Sequence, residues 1–292
     1  MPLKGIVCIS LIGVLAGQAL GQFKDQSNND RHLFPSRSTA PAHFSQGLTD
    51  AFTTSDLSLV GLAALTMYKP DEPDDQVALL PFGFDRNVSS SLSRSDGGQS
   101  LGSRINPATI QTAIFVGQLS LTALLDVATD ADITSRDYER PFVFAKTMLY
   151  TYGITEVSKN LIYRVRPDGS DSRAFFSGHT SGSFAASAFV YRELDDWIDG
   201  WGIARRSDFT RTMLKTTAFV TTYGWAAYVG YSRIHDRKHY LSDVIIGAAV
   251  GTAIGNIVYD WHFGDEGSTT TSSLQFSFIP SSQPSVGLMY HF

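Results

Sequence analysis

The chain has 292 residues, a length that suits one large domain or two small ones. Hydrophobic residues make up 43% of it and aromatic residues 12%, so the chain can bury a sizeable core and global disorder is excluded. The formal net charge of −5 provides no broad basic surface, which excludes nucleic acid as a main partner. Any anion binding must therefore depend on a few focused cations.

Residues 1–21 have the pattern of a cleavable signal peptide. Lys4 precedes an apolar run over Ile6–Ala16, and a small-x-small cleavage site ends at Gly21. The apolar run is too short to span a bilayer comfortably, so we predict export, to the periplasm or the outer membrane of a bacterium. Cleavage would remove Cys8, the single cysteine, and with it any disulfide or thiolate chemistry.

The next part of the chain shows little regular periodicity. Residues 22–49 are polar and contain prolines, which predicts an extended N-terminal arm. A helix-like segment follows over about 50–67. From about 69 to 105 no helical period is sustained, which predicts a long loop that is a lid, a surface excursion or a disordered segment.

The strongest helical signal comes from four long apolar segments and a shorter one. Because strand signals are scarce among them, we predict an all-α fold, a helical bundle. Polar or charged residues interrupt the segments that begin at 107 and 207, and the last segment is rich in Gly and Ala, so we favour buried helices of a soluble bundle over lipid-facing spans. The segments lie at about 107–128, 141–163, 180–193, 207–231 and 239–262.

The tail, residues 265–292, differs from the rest. A Ser/Thr-rich linker leads to two runs, Leu274–Phe278 and Val286–Phe292, that alternate with period two. This alternation predicts a short C-terminal β-hairpin. We favour a hairpin packed on the bundle over a membrane-seeking strand, since one hairpin cannot form a barrel.

Three polar clusters carry the chemistry of the sequence. Taken singly, each has an ordinary explanation: a solvated helix end, a helix-capping turn, or a surface pair one helical turn apart. In chain order the clusters are Lys159 with Arg166-Pro167, then Phe176-Ser177-Gly178-His179, then Ser232-Arg233 with His239 and Asp243.

Taken together, the clusters resemble the motifs of the type 2 phosphatidic acid phosphatase superfamily, K-x6-R-P, P-S-G-H and S-R-x5-H-x3-D. Ten of the eleven specified positions match in order, and Phe176 stands where the motif has proline. The superfamily includes bacterial acid phosphatases, lipid phosphate phosphatases and vanadium haloperoxidases. The resemblance implies a catalytic helical domain, which we place at 50–264, with the arm, the loop and the hairpin outside the motifs.

The residue types suit phosphoryl transfer. A phosphoryl group in transfer carries charge on three equatorial oxygens, so catalysis needs fixed cations and donors around them. The predicted cations are those of Lys159, Arg166 and Arg233. The hydroxyl of Ser177 and the backbone N–H of Gly178, near a helix N-terminus, complete the predicted phosphate-binding set.

Catalysis is assigned to two histidines and a carboxylate. His239 is the predicted nucleophile that forms a phosphohistidine, and Asp243 is expected to hold its other ring nitrogen. His179 is the predicted general acid, which later activates water. No metal or other cofactor is expected. The zinc-like spacing of His235 and His239 lacks a glutamate and encloses two cations.

The resemblance implies a metal-independent phosphatase acting on phosphomonoesters, and the predicted signal peptide implies that it is exported. Its substrate is either a small organic phosphate or a lipid phosphate, and the lipid alternative brings membrane association with it. A phosphatase for undecaprenyl or other lipid diphosphates stays open. So does a haloperoxidase-like enzyme that binds vanadate as its cofactor, because vanadate mimics the phosphoryl transition state.

Overall fold

The computed structural model describes residues 40–53, 56–67, 76–94, 96–129 and 132–264, apart from the Leu57 side chain, and the backbone of 274–279 and 285–290. The predicted signal peptide lies outside the described residues. The chain divides into two compact units, one up to Tyr259 and one from Asp260.

The described part of the chain contains ten helices and four strands. The helices are α1 (Ala40–Ala51), α2 (Leu57–Met67), α3 (Gly83–Leu92), α4 (Leu101–Arg104), α5 (Pro107–Ala128), α6 (Ser135–Leu161), α7 (Gly178–Gly200), α8 (Gly202–Arg205), α9 (Asp208–His235) and α10 (Leu241–Phe263). The strands are β1 (Val77–Ala78), β2 (Ile162–Tyr163), β3 (Leu274–Ile279) and β4 (Ser285–Tyr290).

The predicted all-α bundle is confirmed. In the first unit the described strands are the two-residue β1 and β2, which pair in parallel. In the second unit β3 and β4 pair antiparallel, with Leu274 opposite Tyr290 and Ile279 opposite Ser285, which is the predicted hairpin.

Four long helices bring the polar clusters to one end of the bundle. Lys159 lies in the last turn of α6 and Arg233 in the last turn of α9. Ser177 caps the N-terminus of α7, and Asp243 lies in the first turn of α10. Because α7 packs on both α6 and α9, chain segments that are far apart in sequence meet at this end.

Helix α10 approaches α7 closely along a stripe of glycines. A Cβ on Gly247 would stand 2.8 Å from the carbonyl oxygen of Ser177, and one on Gly255 would stand 2.7 Å from that of Ala185. A Cβ on Gly251 would overlap the carbonyl oxygen of Ser181. The missing side chains therefore let the two backbones come together, as in small-residue helix packing.

Two regions are more helical than the sequence predicts. The last part of the expected arm belongs to α1, which packs on α6 so closely that a Cβ on Gly47 would stand 2.7 Å from the carbonyl oxygen of Ser135. The expected loop at 69–105 contains α3 and α4. Helix α3 buries the polar residues Asp85 and Ser89 while its apolar Phe84 and Leu92 are exposed, the reverse of the usual pattern for a surface helix.

The expectation that the long apolar segments are buried is wrong for α5. Only Pro107 and Gln111 of this helix are buried, while Leu124 and Val127 are 60% and 66% exposed. By length and composition, α5 and α10 are the described helices that are long and apolar enough to cross a membrane. The inward contacts of α5 include hydrogen bonds of Gln111 and the packing of Phe115 on Phe142.

Candidate active site

The first polar cluster places two cations at the end of α6 and just after it. Lys159 Nζ lies 3.1 Å from Glu156 Oε1, and Arg166 Nε donates to Asp171 Oδ1 at 2.7 Å. Both cationic side chains are mostly buried. Each one is held by a more exposed carboxylate, which orients it without burying a full ion pair.

The second cluster forms the N-terminus of α7. Ser177 is fully buried, and its Oγ accepts hydrogen bonds from the N–H and the hydroxyl of Thr180, at 3.4 and 2.9 Å. The Ser177 hydroxyl therefore keeps its own hydrogen for another acceptor. Gly178 carries no side chain where a Cβ would stand 3.1 Å from Lys159 Nζ, so the ammonium lies close to the start of the helix.

Arg233 contributes a buried cation from the end of α9. It is 6% exposed, and its Nε has no hydrogen-bond partner among the residues that the structure describes. Burial and the neighbouring Arg166 lower the pKa of Arg233 to about 10. A buried guanidinium nitrogen without a partner is costly, and an anion bound beside it would remove that cost.

The two histidines experience the same cations. Burial, followed by the charge of Arg233, lowers the pKa of His179 to about 3, with smaller effects from Lys159 and Arg166. Burial and these same three cations lower the pKa of His239 well below its usual value. Both imidazoles are therefore neutral in the free site. Because the same three cations lower the pKa of both histidines, the three polar clusters lie together in the folded chain.

His239 has a defined tautomer. Its Nδ1 lies 2.7 Å from the carbonyl oxygen of Ala174. Because a carbonyl oxygen can only accept, Nδ1 carries the hydrogen and Nε2 keeps its lone pair. The nearest Asp243 oxygen is 3.8 Å from Nδ1, beyond hydrogen-bond distance. The expected direct hold by Asp243 is thus replaced by the Ala174 carbonyl.

Three buried polar residues around Asp243 were not found from the sequence. Arg164 Nη1 lies 3.0 Å from Asp243 Oδ1, and Arg164 Nη2 donates to Asp85 at 2.6 Å and to Ser242 Oγ at 3.0 Å. The position of Arg164 between Lys159 and Arg166 was a usable signal. Asp85 lies in the expected loop, where the sequence offers no signal for it.

Two other predicted features have plain structural environments. Phe176, at the proline position of the motif, is 4% exposed and packs edge-on against Phe175. His235 turns its Nδ1 to the carbonyl oxygen of Leu92 at 2.6 Å and stacks on Tyr231, away from the contacts of His239. Within the described ranges, no group of three or more His, Cys, Asp or Glu residues gathers to hold a metal ion.

Comparison with known proteins covers the same region of the chain. Residues 140–266 match the PAP2 superfamily, a range that contains all three polar clusters. The matched range is somewhat less than half of the chain, and over it the chain is similar to the PAP2 superfamily. The predicted resemblance is thereby confirmed, and the matched range contains the ends of α6, α7, α9 and α10 that carry the three clusters.

Curated PAP2 relatives align over parts of their length. A lipid A 1-phosphatase of Porphyromonas gingivalis is 30% identical over 107 residues, which are 37% of this chain and 20% of that protein. Phospholipid phosphatase 2 of Mus musculus is 27% identical over 115 residues, 39% of each chain. The bovine (Bos taurus) phospholipid phosphatase 2 is 30% identical over 84 residues, 29% of this chain and 26% of that protein. The alignments thus span from about a fifth to two fifths of these relatives.

A solved structure is also similar to this chain. It is described as the first transmembrane PAP2-type phosphatidylglycerolphosphate phosphatase, from Bacillus subtilis. The comparison covers 79% of this chain and 97% of that one, at 14% sequence identity and a TM-score of 0.39.

Proposed function

We propose that this chain is a membrane-associated, metal-independent phosphatase that hydrolyses lipid phosphates through a phosphohistidine at His239. The observation that carries the proposal is the convergence of a neutral His239, with Nε2 unprotonated, and three cations on one buried site. The cations are those of Lys159, Arg166 and Arg233. They match the charge of a phosphoryl group in transfer.

The first chemical step transfers the phosphoryl group to the protein. Nε2 of His239 attacks phosphorus, a P–N bond forms, and the P–O bond to the alcohol breaks. His179 delivers a proton to the leaving oxygen. Since the pKa of His179 is about 3 in the free site, the bound phosphate must first raise it by offsetting the positive charge of Arg233 and its neighbours.

The second step returns the histidine to its starting state. Neutral His179 accepts a proton from water as the water oxygen attacks phosphorus and the P–N bond breaks. Phosphate leaves with the site unchanged. The Ala174 carbonyl keeps the hydrogen on Nδ1 of His239 in both steps, so the reacting nitrogen is the same each time.

A lipid substrate is favoured by two independent observations. The aligned relatives carry the names of a lipid A phosphatase and of phospholipid phosphatases. In addition, α5 presents exposed apolar side chains such as Val116 and Leu124 over a length that can cross a bilayer. Both favour a substrate whose phosphate lies at a membrane surface.

The deciding experiment measures phosphate release by the purified full chain in detergent with EDTA. Short-chain phosphatidic acid and p-nitrophenyl phosphate are compared for the wild type, His239→Ala and His235→Ala. We expect release in EDTA with a preference for the lipid. We also expect a loss of at least about 10⁴-fold in kcat for His239→Ala, whereas His235→Ala stays active.

Other outcomes would redirect the proposal. Activity retained by His239→Ala would remove the phosphohistidine. A requirement for divalent metal would contradict the metal-independent scheme. Vanadate-dependent bromide oxidation without phosphate release would favour the haloperoxidase alternative. Release from a lipid diphosphate alone would keep the site chemistry and change the substrate.

A further inference from the structure

We propose that Arg164 and Asp85 are positioning residues for the reaction at His239 and act through Asp243. This inference rests on the proposed phosphohistidine function. Asp243 turns its two oxygens in different directions. Oδ1 lies 3.0 Å from Arg164 Nη1, while Oδ2 accepts the backbone N–H of Tyr240 at 2.9 Å and stands 3.8 Å from His239 Nδ1.

Asp85 connects this carboxylate to helix α3. Its Oδ2 accepts from Arg164 Nη2 at 2.6 Å and from Ser242 Oγ at 2.8 Å, and its Oδ1 accepts the Ser242 backbone N–H at 2.9 Å. Asp85 thus holds both the guanidinium that contacts Asp243 and the backbone immediately before it. The side chains of Arg164, Asp85 and Asp243 are fully buried, so water does not compete for these contacts.

The charges explain why this arrangement matters for His239. One guanidinium lies between the carboxylates of Asp85 and Asp243. Phosphorylation puts positive charge on the imidazole of His239, and the carboxylate of Asp243 stabilises that charge from 3.8 Å. Without the charge of Asp85, Arg164 would be compensated by Asp243 alone, and the negative potential at His239 would weaken.

Asp85 contacts Arg164 from a part of the chain that lies outside the region similar to the PAP2 superfamily. The region that matches the PAP2 superfamily is 140–266, and Asp85 lies well before it. Helix α3 therefore supplies a buried group to the site from outside the matched region. The segment 76–94 then has a definite role, which is to hold the first turn of α10 through Asp85 and Ser242.

A purely structural role is the alternative, because breaking any buried ion pair destabilises a fold. The chain contains a matched control for it. Lys146 Nζ lies 2.8 Å from Asp56 Oδ1, and both side chains are buried. Lys146 precedes Lys159 on α6 by about 20 Å of helix, so this pair is remote from the reacting groups.

The experiment compares Asp85→Asn with Asp56→Asn in the full chain, beside wild type and His239→Ala. We expect Asp85→Asn to lower kcat by about 10- to 100-fold, as for other groups that support a reacting side chain. Its KM and its affinity for vanadate should stay within about twofold, because the phosphate-binding cations are unchanged. Asp56→Asn should keep kcat even where its thermal stability falls as much.

Two further variants keep the test sharp if Asp85→Asn folds poorly. Ser242→Ala removes one hydroxyl from the network and should lower kcat by about 3- to 10-fold with vanadate affinity unchanged. Arg164→Lys keeps the charge but loses the planar fork that reaches both carboxylates, so it should be impaired nearly as much as Arg164→Gln.

The outcomes separate this inference from the proposed function. Wild-type activity and the loss in His239→Ala decide the function. An Asp85→Asn or Ser242→Ala protein with wild-type kcat would overturn the inference alone, as would an equal loss of kcat in Asp56→Asn. Wild-type kcat in Arg164→Lys would overturn the bridging role of Arg164.

Discussion

Lys159 Nζ lies against the start of helix α7, where a Cβ on Gly178 would stand 3.1 Å from the ammonium nitrogen. The same Cβ would stand 3.2 Å from Thr155 Cγ2, so both sides of the gap are occupied. This close approach places a cation and the first N–H groups of a helix around one volume. An anion bound there meets both.

The first prediction concerns that approach. Gly178→Ala should displace the Lys159 ammonium and weaken vanadate binding by about 10-fold, the effect of losing one charge-assisted contact. Gly200→Ala, at the other end of α7, is the matched control because nothing lies within 4 Å of its Cβ. Inhibition constants for vanadate measure both variants. Equal affinities for Gly178→Ala and the control would show that the lysine does not need this space.

The second prediction concerns the packing of α10 on α7. Gly251→Ala should lower the free energy of unfolding by about 1–3 kcal/mol, because its Cβ would overlap the backbone of Ser181. Gly224→Ala on α9 has open space around its Cβ and should be neutral or stabilising by up to about 1 kcal/mol. Thermal unfolding in detergent compares the two. Opposite signs are expected, and a stable Gly251→Ala protein would contradict the glycine contact.

The third prediction concerns protons. In the free site the pKa of His179 is about 3, below its usual value of 6.5, so the ring is neutral at pH 5.5. A bound dianion offsets the nearby cations and raises that pKa, so binding should take up as much as one proton at this pH. Sulfate is a suitable probe because it stays a dianion here. Its binding enthalpy, measured in buffers of different ionisation enthalpy, gives the number of protons.

The controls for proton uptake are two histidine variants. His179→Gln should lose most of the uptake while it still binds sulfate, and His235→Gln should keep it. The pKa of His179 is lower in the free folded site than in the unfolded chain. Between about pH 3 and 6.5 the unfolded chain therefore binds more protons, so the free energy of unfolding should fall as the pH drops through this range. Uptake that persists in His179→Gln would assign the proton to another group.

The fourth prediction concerns α5. Gln111 is buried and donates from Nε2 to the carbonyl oxygen of Gly182 at 2.9 Å, while its Oε1 accepts from the Tyr152 hydroxyl at 2.6 Å. Gln111→Leu should therefore destabilise the protein by about 1–3 kcal/mol although it makes the helix more apolar. Val116→Leu, on the exposed face, should be neutral.

Membrane fractionation tests the other face of the same helix. We expect the full chain to stay in the membrane pellet after an alkaline wash, because α5 is long and apolar enough to cross a bilayer and exposes Val116, Leu124 and Val127. Release into the supernatant by that wash would contradict the proposed membrane association. Loss of the pellet signal in Val116→Lys with Leu124→Lys would assign the association to this face.

Much of the site could be predicted from the sequence because its reacting groups lie at fixed spacings near helix ends. Lys159 and Arg166 flank the end of α6, and Ser177 to His179 begin α7. The spacing of His239 and Asp243 is also local, across the first turn of α10. A short spacing limits the relative directions of two side chains, so the residues of a motif already specify part of the geometry of the site.

Other parts could not be read in this way because their partners are distant in the chain. The burial of Gln111 and the exposure of Leu124 depend on which face of α5 meets α7, and apolar content alone does not decide that. Most of α1 was predicted as part of an extended arm because residues 22–49 are polar and contain prolines. It is held by close contact at Gly47.

The sequence by itself determined the all-α bundle, the C-terminal hairpin, and the cations and histidines of the site. These features follow from local periodicity and residue type. Only the tertiary structure decided that the Ala174 carbonyl, and not Asp243, accepts the hydrogen bond from Nδ1 of His239. It also decided that Asp85 reaches Arg164 from a segment that showed no helical period. A hydrogen bond forms only when the donor–acceptor distance is correct to within a few tenths of an ångström. Spacing in sequence does not specify that distance for groups far apart in the chain.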